Sequence, residues 1–215
     1  MKYMAIDPSF SRTGLCILDT DTKTIFLKPI SPPGSNKTFN DTVNRGMYIA
    51  EQITKEISHL HNITMLIEEP MISSIKASSL GVLSGILTTI LTQHPSIKTV
   101  YTVNPNTIRQ LNSALSDQKG LSKKQISSLS AEVLFAMFEQ EGYTISLWTN
   151  TPRKRKFCHD EAEAFMLCIL LLLKDNVLSD SLVQNIYAAH KGYSVKKIKI
   201  NEFTKREVTN VAKAN

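Results

Sequence analysis

Residues 158–173 read CHDEAEAFMLCILLLL, and from Ala162 onward every position except Glu163 is apolar. A helix that is apolar on all sides is a buried helix, so this segment predicts a helix inside a core. An ionised carboxylate in such a helix is costly unless a cation or donor compensates it, and Glu163 therefore needs a partner. Asp160, three residues earlier, projects from the same helical face. Two more acids, Asp7 in YMAIDPS and Glu68 in MLIEEP, end runs that read as buried strands. Four carboxylates with no matching buried bases point to divalent metal.

A chain of 215 residues with 42% hydrophobic content can bury one sizeable core. We expect one globular unit over residues 1–178 and a basic C-terminal extension over 179–215. The formal charge of +6 favours a polyanionic partner. Most of it lies at one end, because residues 191–215 carry seven basic and two acidic side chains, which makes the tail a candidate electrostatic arm. Cys16, Cys158 and Cys168 are odd in number and lack metal-site spacing, so a reducing compartment fits better than a disulfide framework. No apolar stretch approaches the roughly 18–20 residues that span a bilayer, and no secretory leader is evident. The expectation is an intracellular, cytoplasmic protein with no membrane partner.

Residues 2–7 form a strand, and Pro8, Ser9 and Gly14 mark a turn into a second strand at 15–18. The cluster 19–23 reads as a hairpin into a third at 24–28. After a loop from Pro32, Val43, Met47, Ile49, Ile53 and Ile57 recur at helical spacing. Residues 63–68 make a fourth strand, 76–93 an apolar helix and 98–103 a fifth strand. Three strands in hairpin order, then helix, strand, helix and strand, describe a mixed sheet with helices on both faces. A helix over about 123–141, the buried helix and a short helix within 180–190 follow, and the tail beyond Gly192 has no periodicity.

This order, with an acid on the first strand, one on the fourth and a pair on the buried helix, resembles the RNase H-like nuclease superfamily. Within it the residues are similar to the RuvC-type Holliday-junction resolvases: AIDPSFSRTG from Ala5, LIEEP from Leu66, LGVLSG from Leu80, KKQI from Lys123 and DEAEAF from Asp160. The resemblance implies an α/β fold, an RNase H-like five-stranded mixed sheet with helices on both faces, forming a nuclease domain over 1–178. It implies a structure-selective endonuclease that resolves Holliday junctions or related branched DNA, four-way junctions, forks or flaps, by phosphodiester hydrolysis. Asp7, Glu68, Asp160 and Glu163 would be both catalytic residues and metal ligands, holding two Mg²⁺ ions, with Mn²⁺ an alternative. Lys123 aligns with a basic residue of the family, and Arg109 takes the place of another that is usually Lys. The run Arg153, Lys154, Arg155, Lys156 precedes the catalytic helix and is a further candidate DNA contact. Where the bacterial enzymes carry an aromatic that inserts at the junction, this chain has Met71, so strict four-way selectivity is in question. A homodimer, built through the helix containing Gly81 and Gly85, is the implied assembly. A compact chain with a basic tail would suit a phage version acting in its host's cytoplasm.

Each residue also has a plainer role. Asp7 before Pro and Ser is ordinary turn chemistry, and Asp160 with Glu163 fits a capping box. Only one of Glu68 and Glu69 can face Asp7, since adjacent strand residues point to opposite faces. The resemblance selects Glu68, leaving Glu69 solvated or bound to a basic side chain. Gly81 and Gly85 could simply pack on the sheet, and the basic run could be a solvated face. Two other functions compete: a branched-DNA-binding module that does not cut, and an actin-like or sugar-kinase ATPase domain, which would need further glycine-rich phosphate loops that are not evident.

Overall fold

The computed structural model of the chain describes residues 1–34, 38–70, 77–105, 107, 120–147, 159–189 and 204–206. Strands β1 (Lys2–Asp7), β2 (Thr13–Asp19) and β3 (Thr24–Ile30) come first, followed by α1 (Phe39–Ile57), β4 (Ile63–Glu68), α2 (Ala77–Thr92) and β5 (Ile97–Val103). Then come α3 (Lys123–Gln140), β6 (Thr144–Leu147), α4 (His159–Lys174), α5 (Asp180–Ala189) and β7 (Thr204–Arg206). They build a sheet in the order β6-β3-β2-β1-β4-β5-β7.

The five strands expected from the sequence form its centre. β1 runs parallel to β4, and β4 to β5, while β2 is antiparallel to both β1 and β3. Two short edge strands, not foreseen from the sequence, extend it: β6 pairs parallel with β3, and β7 antiparallel with β5. Four and three residues of modest apolar content carry too little alternation to be read locally.

Alternation along the central strands divides the core in two. Tyr3, Ala5, Cys16, Leu18 and Leu66 face α3, α4 and α5, and Met4, Ile6, Leu15, Ile17, Met65 and Ile67 face α1 and α2. On the first face, the Phe135 and Phe165 rings stack at 4.1 Å between centroids and Phe138 meets Phe165 edge-on at 5.6 Å, which fixes α3 against α4. From Ala164 to Leu173 every residue of α4 is buried, as an all-apolar helix requires. Leu182 and Ile186 of α5 are buried in the same core.

Helix starts are set by local chemistry. At α1, the Thr38 hydroxyl accepts from the Asp41 amide while the Asp41 carboxylate accepts from the Thr38 amide, and Ser122 with Gln125 repeats the arrangement at α3. No helix among the described residues is long and apolar enough to cross a membrane.

Candidate active site

Asp7 ends β1 and Glu68 ends β4, and because the two strands are parallel neighbours, both acids emerge at the same end of the sheet. Strand phase puts them on one face: Asp7 follows Tyr3 and Ala5, and Glu68 follows Leu66, on the side covered by α4. The first turn of α4 supplies Asp160 and Glu163, and α4 lies across β1 and β2.

That approach depends on Gly14, which pairs with Asp7 across the β1–β2 ladder. A Cβ there would stand 2.0 Å from the Asp160 carbonyl oxygen and 2.6 Å from its carbonyl carbon. The missing side chain therefore lets the start of α4 touch the strand beside Asp7, a close approach that glycine permits. The positive end of the helix then faces the acids, which favours negative charge there.

Asp7 is only 6% exposed. Burial first, then the charges of Glu68, Glu163 and Asp160, hold its carboxyl well above the usual carboxylate range. Glu163 is also raised, chiefly by burial, although His159 and a hydrogen bond from Ser127 oppose the rise. The Ser127 hydroxyl donates to Glu163 Oε1 at 3.2 Å, and His159 Nε2 stands 3.3 Å from Oε2. Arg12 Nε donates to Asp160 Oδ2 at 2.8 Å.

Several local readings change here. Glu163 is not enclosed by the apolar helix but keeps 23% exposure of its side chain, because the first turn of α4 stands at the mouth of the sheet. The buried acid of that turn is Glu161. Asp160 and Glu163 form no capping box, since α4 begins at His159 and Asp160 lies inside the first turn. Glu69 accepts from the Thr102 hydroxyl at 2.5 Å.

The sequence marked Gly14 only as a turn residue and gave no site role to Arg12 or Ser127. The separation of 148 residues between Arg12 and Asp160 leaves no local signal. Gly14 could have been suspected from its place opposite an acid in the first hairpin. Lys123 begins α3. Arg109, Met71 and Arg153 to Lys156 lie outside the described residues, as does Cys158.

The donor set is four carboxylates, the oxygen chemistry that hard divalent cations take, and the crowded acids raise one another's affinity for positive charge. The residues fit such an ion. Among the described residues, no three acids, histidines or cysteines already stand at the spacing of a finished metal site. Asp160 and Glu163 are instead engaged by Arg12, His159 and Ser127.

No family model and no curated protein matches the sequence. Among solved structures, the chain is similar to Thermus thermophilus RuvC, with 14% identity and a TM-score of 0.48 over 96% of this chain and 100% of that one. It is similar to T. thermophilus RuvC in complex with a Holliday junction substrate, with 14% identity and a TM-score of 0.47 over 87% and 94% of the two chains. A third likeness is the human cytomegalovirus terminase nuclease domain, Mn soaked and inhibitor bound, with 11% identity and a TM-score of 0.44 over 86% and 85%. With its central strands in the order β3-β2-β1-β4-β5, only β2 reversed, and helices on both faces, the chain has the RNase H-like fold.

Proposed function

We propose that this chain is a divalent-metal-dependent, structure-selective DNA endonuclease that hydrolyses phosphodiesters in branched DNA, with four-way junctions, forks and flaps as its substrate class. The observation that carries the proposal is Asp7, buried and surrounded by the charges of Glu68, Glu163 and Asp160. Such an arrangement works against folding stability, and a multivalent cation relieves it. An ATPase reading has no comparable support, and a module that binds without cutting has no use for the cluster.

Asp7, Glu68, Asp160 and Glu163 would hold the metal. A pair of Mg²⁺ ions, or Mn²⁺ in their place, would supply a hydroxide nucleophile and stabilise the departing 3′ oxygen. The Ser127 hydroxyl at 3.2 Å and His159 Nε2 at 3.3 Å would hold the Glu163 carboxylate in place at the cluster. Attraction for the DNA backbone must come from basic groups, because the acids repel it. Lys123, Arg109 and the run Arg153 to Lys156 are the proposed phosphate contacts, and Met71 a proposed apolar wedge. A two-fold symmetric junction calls for a two-fold symmetric enzyme, hence a homodimer.

The test is cleavage of labelled four-way junction, fork and linear duplex, with and without Mg²⁺. Cutting should require Mg²⁺ and favour the branched substrates. Asp7→Asn, Glu68→Gln, Asp160→Asn and Glu163→Gln should each lose more than the roughly 10–100-fold typical of outer-shell changes around metals, while branched DNA still binds. Glu69→Gln is the control and should cut almost normally. Metal-independent cutting, or full activity in any one acid variant, contradicts the corresponding assignment.

A further inference from the structure

The loop between β1 and β2 is held more firmly than a surface turn requires. The Thr13 hydroxyl donates to the Ser9 carbonyl at 2.8 Å and accepts from the Ser9 amide at 3.1 Å. The Phe10 carbonyl accepts from the buried guanidinium of Arg45, which also donates to the carbonyls of Pro33 and Gly34. Between these anchors Arg12 reaches across to Asp160 Oδ2 at 2.8 Å, with its own side chain 45% exposed and that of Asp160 15%. The loop thus presents one cation to an acid cluster from the solvent side.

We propose that Arg12 is the resident counter-ion of the cluster, seated on Asp160 in the metal-free protein and released to a DNA phosphate when a divalent cation engages that carboxylate. This rests on the metal-dependent reading above. Two cations on one carboxylate oxygen repel each other, so metal and Arg12 compete for Asp160. A displaced guanidinium on an exposed loop beside the scissile position has the planar donor geometry that phosphate accepts. Arg12 is in this sense a positioning residue that couples metal loading to substrate engagement.

The experiment titrates the full chain with Mn²⁺, reading free ion by electron paramagnetic resonance, for the wild type, Arg12→Gln, Arg12→Lys and Glu163→Gln. Arg12→Gln should bind Mn²⁺ up to about fivefold more tightly, the equivalent of one partly exposed ion pair. Arg12→Lys keeps the charge, should stay near the wild type, and serves if the Gln variant folds poorly. Binding of branched DNA is then measured in Ca²⁺ and in EDTA: Arg12→Gln should weaken it several-fold in Ca²⁺ and leave it unchanged in EDTA. Mn²⁺ affinity that is unchanged or weaker in Arg12→Gln, with normal binding by the wild type, overturns the role of Arg12 alone. An equal loss of DNA affinity in both buffers overturns the release step. A wild type that binds no Mn²⁺, like Glu163→Gln, overturns the metal reading together with this one.

Discussion

Asp7 and Gly14 face each other across the β1–β2 ladder, and the space a Gly14 side chain would fill is taken by the backbone carbonyl of Asp160. One glycine thus sets the distance between the strand acid and the two helix acids. Gly14→Ala should push the start of α4 off β2, because backbone atoms cannot yield as a flexible side chain would. The cost should reach the upper part of the ~1–3 kcal/mol range of overpacked cores, read by denaturant unfolding. Cleavage should fall further than the unfolded fraction explains, and full activity with normal stability would show that α4 can shift without penalty.

The elevated Asp7 carboxyl makes a signed prediction about pH. The folded protein binds a proton that the unfolded chain, with Asp at its ordinary 3.8, releases earlier. Stability from this group is complete below that ordinary value and is lost as pH rises through the raised one. In EDTA, the melting temperature should therefore decline as pH rises from about 4 toward neutrality. Asp7→Asn should flatten the decline and melt higher than the wild type at neutral pH. Thermal melts at stepped pH read both, and parallel profiles for the two proteins would count against the assignment.

Among the described residues a Cβ at Gly81 or Gly85 would meet nothing within 4 Å, so neither glycine is packed against the sheet. Folding and association are thereby separable at Gly85. Gly85→Ala should stabilise the monomer fold by roughly 0.5–1 kcal/mol, the usual helix penalty of glycine. Gly85→Leu should leave the fold intact and weaken the proposed dimer, which sedimentation across a concentration series would detect. A dimer unaffected by leucine moves the interface off this face of α2.

The C-terminal segment has two roles to separate. Thr204–Arg206 pairs with Val100–Thr102 at the β5 edge, while the segment also carries most of the net charge. Removing residues 192–215 should uncover that edge and lower the melting temperature by a few degrees, about 2–4 °C per kcal/mol for a chain of this size. It should also flatten the dependence of DNA affinity on salt, through fewer released counterions. An unchanged salt slope would leave the tail a purely structural element.

The sequence determined what depends on neighbours along the chain. The apolar run from Ala164 to Leu173 demanded burial, the period of two along a strand allowed only one of Glu68 and Glu69 to face Asp7, and hairpin order followed by alternating helices and strands gave the central sheet. Each is a local pattern of hydrophobicity, and burial reads such patterns residue by residue. Tertiary structure alone decided the rest: the seats of β6 and β7 on edges made by other strands, the partial exposure of Glu163, the hold of Ser127 on it, and the Arg12–Asp160 pair. These depend on where two distant backbones come to lie, and a polar side chain carries no periodic signal of the partner it will meet. The contact of Gly14 with Asp160 belongs to both, because the absence of a side chain is written in the sequence while the helix that needs the space arrives only with the fold.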